Sequence, residues 1–281
     1  MNLYDLIKKR RSVRNFKDQE IPKHIIEELL DAANNAPSGG NIQPISIILV
    51  QEPERRKELS KMVGDQPWVK NAPLSMIFCI DFFRIKKWAS MFEADFKGEK
   101  ALSHFLIAYA DLMCSAQNVV ILAESYGLGS VYIGTILDAI DKVRKYFTIP
   151  HYVLPMMVLS IGYPKSVPKN VPKLKRDVIV HREEYKELSD DEIKKAFEDK
   201  YGSFDDNLER YFQRIYVEAV EADKQEKPEW ADPEWIKKEM KKLNIKNTAQ
   251  FLFKFKYPSE EMVKLNENLI GAFKNAGFDF F

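Results

Sequence analysis

Three arginines and a hydroxyl crowd into five residues near the start of the chain, in the run Arg10-Arg11-Ser12-Val13-Arg14-Asn15-Phe16. Guanidinium groups grip phosphate oxygens in a bidentate fork, and a serine hydroxyl adds a neutral donor, so the run suits a phosphate or another anion. Taken alone it has a commoner use, since basic residues finish helices by complementing the dipole. Pro37-Ser38-Gly39-Gly40-Asn41-Ile42-Gln43-Pro44 joins two glycines, which let a backbone approach a ligand closely, to neutral hydrogen-bonding side chains. A plain helix-to-strand turn has the same composition. In Gly127-Leu128-Gly129-Ser130-Val131-Tyr132-Ile133-Gly134 the glycine spacing is not a dinucleotide fingerprint, and the run follows a helix, not a strand. Its bare backbone can lie against a flat ring or turn tightly into a strand. Last, Lys165, Lys169, Lys173, Lys175 and Arg176 alternate with Pro164, Pro168 and Pro172. Prolines stiffen a loop so that its cations meet an anion at low entropic cost, although such loops are more often solvated surface.

Other chemistries find little footing. The histidines are His24, His104, His151 and His181, and they form no defensible Ser-His-Asp order. Neither cysteine has a nearby Cys or His, so no metal-ligand spacing appears. There is no P-loop, and the carboxylates are scattered rather than paired for glycoside chemistry.

The elements that must position these runs follow from periodicity. Leu3, Leu6 and Ile7 predict a helix over 2–10. A second helix opens at Pro22 with Ile25, Ile26, Leu29 and Leu30 on one face, and ends before Pro37. Ile45–Val50, Leu74–Ile80 and Val153–Ile161 predict buried strands, and a polar helix follows Pro53. Ala101–Tyr126 predicts the longest helix, apolar nearly all round and therefore buried on several sides, in a domain core or a subunit interface. The elements do not repeat as strand-helix units, so α+β is expected rather than a doubly wound sheet. From about residue 189 a charged helical tail begins, carrying Trp230, Trp235, Phe251, Phe253 and Phe255, aromatics that imply docking.

Composition sets bounds. The chain has 281 residues, 43 basic against 42 acidic, for a net charge of +1. That balance argues against a broad nucleic-acid or anionic-membrane surface. The longest uninterrupted apolar stretches fall far short of the roughly 20 residues that span a bilayer, and the start lacks an apolar signal core. Cys79 and Cys114 sit in apolar runs and are expected as buried, reduced thiols. A cytoplasmic location is the default expectation.

The motifs taken together and in order carry more than any one of them. RRSVRNF, NAPSGGNIQP, GDQPWVKNAPLSMIFCIDF, ESYGLGSVYIGT and the proline-lysine loop before Val180-His181 resemble the FMN-dependent nitroreductase family. Within it the chain is most similar to the NADPH-dependent, oxygen-insensitive nitroreductase and flavin reductase group. The resemblance covers residues 1 to about 185. It implies an α+β fold with a mainly antiparallel central sheet, an FMN-binding domain over 1–188, and a helical extension over 189–281 packing on the core or on the partner. It also implies a homodimer with FMN at the interface and NADPH or NADH as donor. Two electrons would pass by a ping-pong cycle to a nitro-aromatic, a quinone or free flavin, with no nucleic-acid or membrane partner and no metal. By matching position, Arg10, Arg11, Ser12 and Arg14 would contact the FMN phosphate, ribityl chain and ring edge, with Arg14 tuning the flavin. Gln66 would hydrogen-bond the isoalloxazine, Ser38 would come from the other subunit, and Tyr132, Ile133 and Gly134 would lie along the ring. Lys173 would meet the phosphate, with Lys175 or Lys169 as a second ligand. The sequence departs from the group at Val171, where a basic residue is common, at Lys173, which replaces an arginine, and at Arg10, which replaces a histidine. The tail around Arg210 and Arg214 loosely resembles the segment that meets the NADPH phosphate. The rival reading is a module that binds flavin or nucleotide without turnover, its tail docking a protein partner.

Overall fold

The computed structural model describes residues 2–166, 168, 171–215 and 228–280. The chain divides into two units, one of residues 1–167 with 264–281, the other of residues 168–263. The boundary expected near residue 189 falls inside the second unit, and the last stretch of the chain belongs to the first.

The first unit is built on four strands: β1 (Ile45–Val50), β2 (Leu74–Asp81), β3 (Gly129–Ile133) and β4 (Val153–Gly162). They pair antiparallel throughout, in the order β1-β2-β4-β3. The two central strands, β2 and β4, are buried at every position, which explains why their sequences are continuously apolar instead of alternating. With a side-chain period of two, Leu74, Met76, Phe78 and Ile80 enter one core cluster, while Ser75, Ile77 and Cys79 are buried on the opposite face. The serine on that face is satisfied by a 2.8 Å hydrogen bond between Ser75 Oγ and Ser160 Oγ. β1 is an edge strand and only Val50 in it is buried, which corrects the expectation of a fully buried strand.

The helices are α1 (Leu3–Lys9), α2 (Lys23–Asn34), α3 (Pro53–Met62), α4 (Pro67–Asn71), α5 (Phe82–Met91), α6 (Leu102–Ser125) and α7 (Ile140–Tyr146). Proline stands at the first position of α3 and α4, where its missing N–H leaves no bond unmade. α6 buries Phe105, Ala108, Leu112, Ala116, Val119 and Ala123 at helical spacing, against α2 and the sheet. The opposite stripe, through Leu106, Ile107, Ala110 and Cys114, is exposed. This helix corrects two expectations. With a mean hydropathy of 1.6 it is long and apolar enough to cross a membrane by length and composition. Polar residues such as Asp111 and Gln117 interrupt its apolar run and hid that property in the sequence. Cys114 is exposed rather than buried because it lies on the open stripe, whereas Cys79 is fully buried and burial pushes its thiol pKa up.

The end of the chain completes the first unit's core. Ala272, Ala276 and Phe278 join its main cluster. Phe278 packs among Phe82, Phe105, Phe273 and Phe280. The Tyr152 N–H donates to the Ala276 carbonyl at 2.7 Å.

The second unit holds α8 (Arg176–Ile179), α9 (Asp190–Tyr201), α10 (Phe204–Ile215), α11 (Pro233–Lys242), α12 (Thr248–Gln250) and the start of α13 (Ser259–Asn275). Ser189 and Glu192 close a capping box on α9. A small cluster of Ile215, Ala231 and Ile236 is packed by Trp230, Trp235 and Phe255, and Phe251 is buried beside Tyr211. Phe253, expected to dock, is 58% exposed.

Candidate functional site

Three segments far apart in sequence meet beside β3. The first is the arginine run. Arg10 caps α1, and the Arg11 guanidinium donates through Nη1 to the Lys8 and Arg10 carbonyls at 2.8 and 2.7 Å. Arg11 therefore serves the helix end that the dipole argument anticipated. The chain then turns alongside β3: Ser12 forms a parallel bridge with Ser130, and the Val13 N–H donates to the Ser130 carbonyl at 3.0 Å. This close approach requires Gly129, since a Cβ there would lie 2.4 Å from Val13 Cγ2.

The second segment is β3 with the turn after it. The Tyr132 hydroxyl donates to Gln117 Oε1 on α6 at 3.2 Å. Burial raises the Tyr132 pKa to about 12, with Arg10 acting in the opposite sense. On the same stretch of α6, burial raises the Glu124 pKa, while the Arg10 charge, the Arg11 N–H and the Arg11 charge lower it. Gly134 is exposed, and a Cβ added to it would meet nothing within 4 Å, so bare backbone borders open space there.

The third segment is the turn before α4. Gly64 has φ +95° and Asp65 φ +53°, and together they bring Gln66 round. Gln66 Nε2 donates to the Val63 carbonyl at 2.9 Å and to Thr135 Oγ1 at 2.8 Å. Two residues on, the Trp68 ring lies 5.4 Å below the Arg14 guanidinium, a cation–π distance. Arg10, Arg11, Ser12, Arg14, Gln66, Tyr132, Ile133 and Gly134 thus converge in one place. The donor set is cationic along one segment and neutral along the other two, with exposed glycine backbone between them. Such a set suits an anionic ligand that carries a flat polar ring.

Ser38 belongs to a loop outside these three segments. Its loop is held on α6 by Asp111, whose carboxylate oxygens accept from the Gly39 N–H at 3.0 and 3.1 Å. Ser38 Oγ accepts from the Gln43 N–H. Asp111 lies six residues from Gln117 and thirteen from Glu124 on the same helix, roughly 9 and 20 Å along its axis at 1.5 Å per residue.

Lys173 and Lys175 belong to the second unit, where both line a cavity of about 600 Å³ with His181, Arg182 and Lys195. Lys175 Nζ pairs with the Asp199 carboxylate at 2.5 Å, and that hydrogen bond holds the lysine pKa above its ordinary value. Lys169 lies outside the described residues. Among the described residues no group of three or more His, Cys, Asp or Glu is placed to hold a metal ion. Sequence reasoning missed Thr135, Gln117, Glu124 and Asp111. Only Thr135 left a signal, a hydroxyl directly after the last glycine of its run.

An antiparallel α+β core with a cationic segment laid along a glycine-bordered edge strand defines the class. The chain belongs to the nitroreductase family, whose model matches residues 7–163. It is 32% identical over 218 residues to an FMN reductase (NADPH) of Bacillus subtilis, covering 75% of this chain and 84% of that protein. The structure of the NfrA1 nitroreductase of Bacillus subtilis matches with a TM-score of 0.72 at 26% identity, over 97% of this chain and 98% of that one. The NADPH:FMN oxidoreductase of Vibrio harveyi, solved with NAD+, matches with a TM-score of 0.65 at 29% identity, over 75% and 86%.

Proposed function

We propose that this chain is an FMN-dependent NAD(P)H oxidoreductase. It passes two electrons in a ping-pong cycle to a small acceptor such as a nitro-aromatic, a quinone or free flavin, and it acts as a homodimer. The observation that carries the reading is the convergence of the arginine run, the β3 turn and the Gln66 turn. The names of the relatives, an FMN reductase (NADPH) and an NADPH:FMN oxidoreductase, point the same way.

FMN has a dianionic phosphate, a polyhydroxyl chain and a flat ring with a polar edge, and the three segments supply a complement to each. Arg10, Arg11 and Ser12 are the phosphate and ribityl donors. Their charges act where the low dielectric of the protein strengthens them. Gly134 leaves its backbone open to the ring, because a side chain there would fill that space. Arg14, held over Trp68 two residues beyond Gln66, is the candidate for favouring negative charge at the ring's carbonyl edge. When bound, FMN supplies the hydride and electron chemistry, and no protein general acid is required. The neutral Tyr132 phenol, fixed on Gln117, lines the site without adding charge. Ser38 would reach a flavin from the other subunit of the dimer. The free thiols Cys79 and Cys114 fit a reducing compartment such as the cytoplasm.

The test is the colour of the purified protein. We expect a yellow protein that releases FMN on denaturation, is bleached anaerobically by NADPH or NADH, and regains colour when a nitro-aromatic, a quinone or flavin is added. FAD in the released fraction would overturn the cofactor assignment. A yellow protein that neither donor bleaches would make it a binding module.

A further inference from the structure

The hydroxyl of Thr135, together with the Val63 carbonyl, fixes which face the Gln66 amide shows to a ligand. The atom of that amide lying 2.9 Å from the Val63 carbonyl must be nitrogen, because two acceptor oxygens at that distance repel. The Thr135 hydroxyl has one hydrogen, and it goes to the same carbonyl at 2.6 Å. Toward Gln66, then, Thr135 Oγ1 can only accept, and it accepts from Nε2 at 2.8 Å. Val63 is fully buried, so its carbonyl is a fixed anchor for both groups. Ser60 Oγ donates to the Gln66 carbonyl at 2.7 Å and fixes the backbone beneath the side chain. With Nε2 held between these two acceptors, the half-buried Gln66 turns its acceptor Oε1 away from them, near the open Gly134 backbone.

We propose that Thr135 is a positioning residue that locks Gln66 as an acceptor, so that the site selects a ring whose edge carries an imide N–H. This rests on the functional reading above, and it specifies what the site reads. The isoalloxazine edge presents an N–H between two carbonyls. A Gln66 amide free to turn could face either group, whereas the held amide turns Oε1 toward the N–H. Recognition by a preset acceptor loses no binding energy to side-chain reorientation.

The experiment compares FMN with 3-methyl-FMN, which lacks that N–H, by fluorescence quenching on the full-length protein. Wild type is expected to bind FMN at least tenfold more tightly than the methylated analogue. Thr135→Val, which keeps the shape and removes the hydroxyl, should weaken FMN binding about three- to tenfold, the worth of one hydrogen bond. It should leave 3-methyl-FMN binding unchanged, and Thr135→Ser should restore the wild-type preference. Circular dichroism reports folding, and if the valine variant does not fold, Thr135→Ala is measured in the same way. Equal weakening toward both flavins, or FMN binding as tight as wild type, would overturn the lock. A wild-type protein that binds no FMN would instead overturn the functional reading itself.

Discussion

Single residues in this site carry two duties, and the structure separates them. Arg11 was legible as an anion ligand and as a helix terminator, and its guanidinium is engaged in the second role. Arg11→Ala should therefore cost about 1–2 kcal/mol of stability in a urea titration of the flavin-free protein, from two lost hydrogen bonds at the end of α1. An unchanged midpoint would assign Arg11 wholly to the ligand. Tyr132 gives a pH prediction. Its pKa is raised from 10.0 to about 12 by burial, so the folded state holds the phenol neutral where the unfolded chain ionises it. Below pH 10 both states keep the proton and the residue contributes no pH dependence. As pH rises from about 10 to 12 only the unfolded state ionises, and stability falls. Tyr132→Phe should flatten that part of the stability curve. A variant whose alkaline limb matches wild type would refute the assignment. The Tyr132 environment was not readable from the sequence, because Gln117 and Tyr132 become neighbours only when α6 packs beside β3.

At the scale of elements, the site depends on how closely the arginine segment lies on β3. Gly129 permits that approach. A β-branched, buried Val13 cannot easily yield to a Cβ placed 2.4 Å from its methyl, so Gly129→Ala should destabilise by about 1–3 kcal/mol. It should also weaken FMN binding by lifting Arg10–Arg14 from the strand. Thermal melts and flavin titration check both effects, and a fully stable alanine variant with native flavin affinity would show that the contact is not needed. β2, β4 and α6 were legible because of their strong apolar patterns, whereas the glycine run of β3 left it open between a ligand-facing backbone and a turn into a strand. α5 and α7 were not, since each is short and begins directly after another element. The C-terminal helix illustrates a third case. In sequence it falls within the charged tail, yet Phe278, three residues past its end, is 1% exposed within an aromatic cluster of the first unit. Phe278→Ala should cost about 3–5 kcal/mol, the usual loss for a buried aromatic. A urea midpoint within error of wild type would contradict this packing. The same packing means that truncation after Lys186 removes core residues, so the shortened chain should aggregate without flavin.

For the whole molecule, the question is what covers the open stripe of α6. A composition change at residue 189 marked the tail, but the units part at 167/168, because chain composition does not record which residues pack together. The apolar character of Ala101–Tyr126 was legible, and so was its ambiguity between core and interface; the structure shows a buried stripe and an exposed one on the same helix. Leu106 is 57% exposed and Ile107 50%, and α1 adds Leu3 at 61%, Tyr4 at 65% and Ile7 at 51%. Exposed apolar surface of this kind marks an interaction face. A second copy is the occupant expected from the resemblance, which places Ser38 of one subunit at the flavin of the other. We therefore expect a dimer at micromolar concentration in analytical ultracentrifugation. Leu106→Arg tests its position on α6. A charge at an exposed site changes monomer stability by no more than about 0.5 kcal/mol. Buried unpaired across a two-fold interface, the same charge is repeated on both partners and repels itself. The variant should sediment as a folded monomer and lose FMN together with the dimer. A wild-type monomer that retains FMN, or a Leu106→Arg dimer as tight as wild type, would place the interface elsewhere and leave the stripe to another partner.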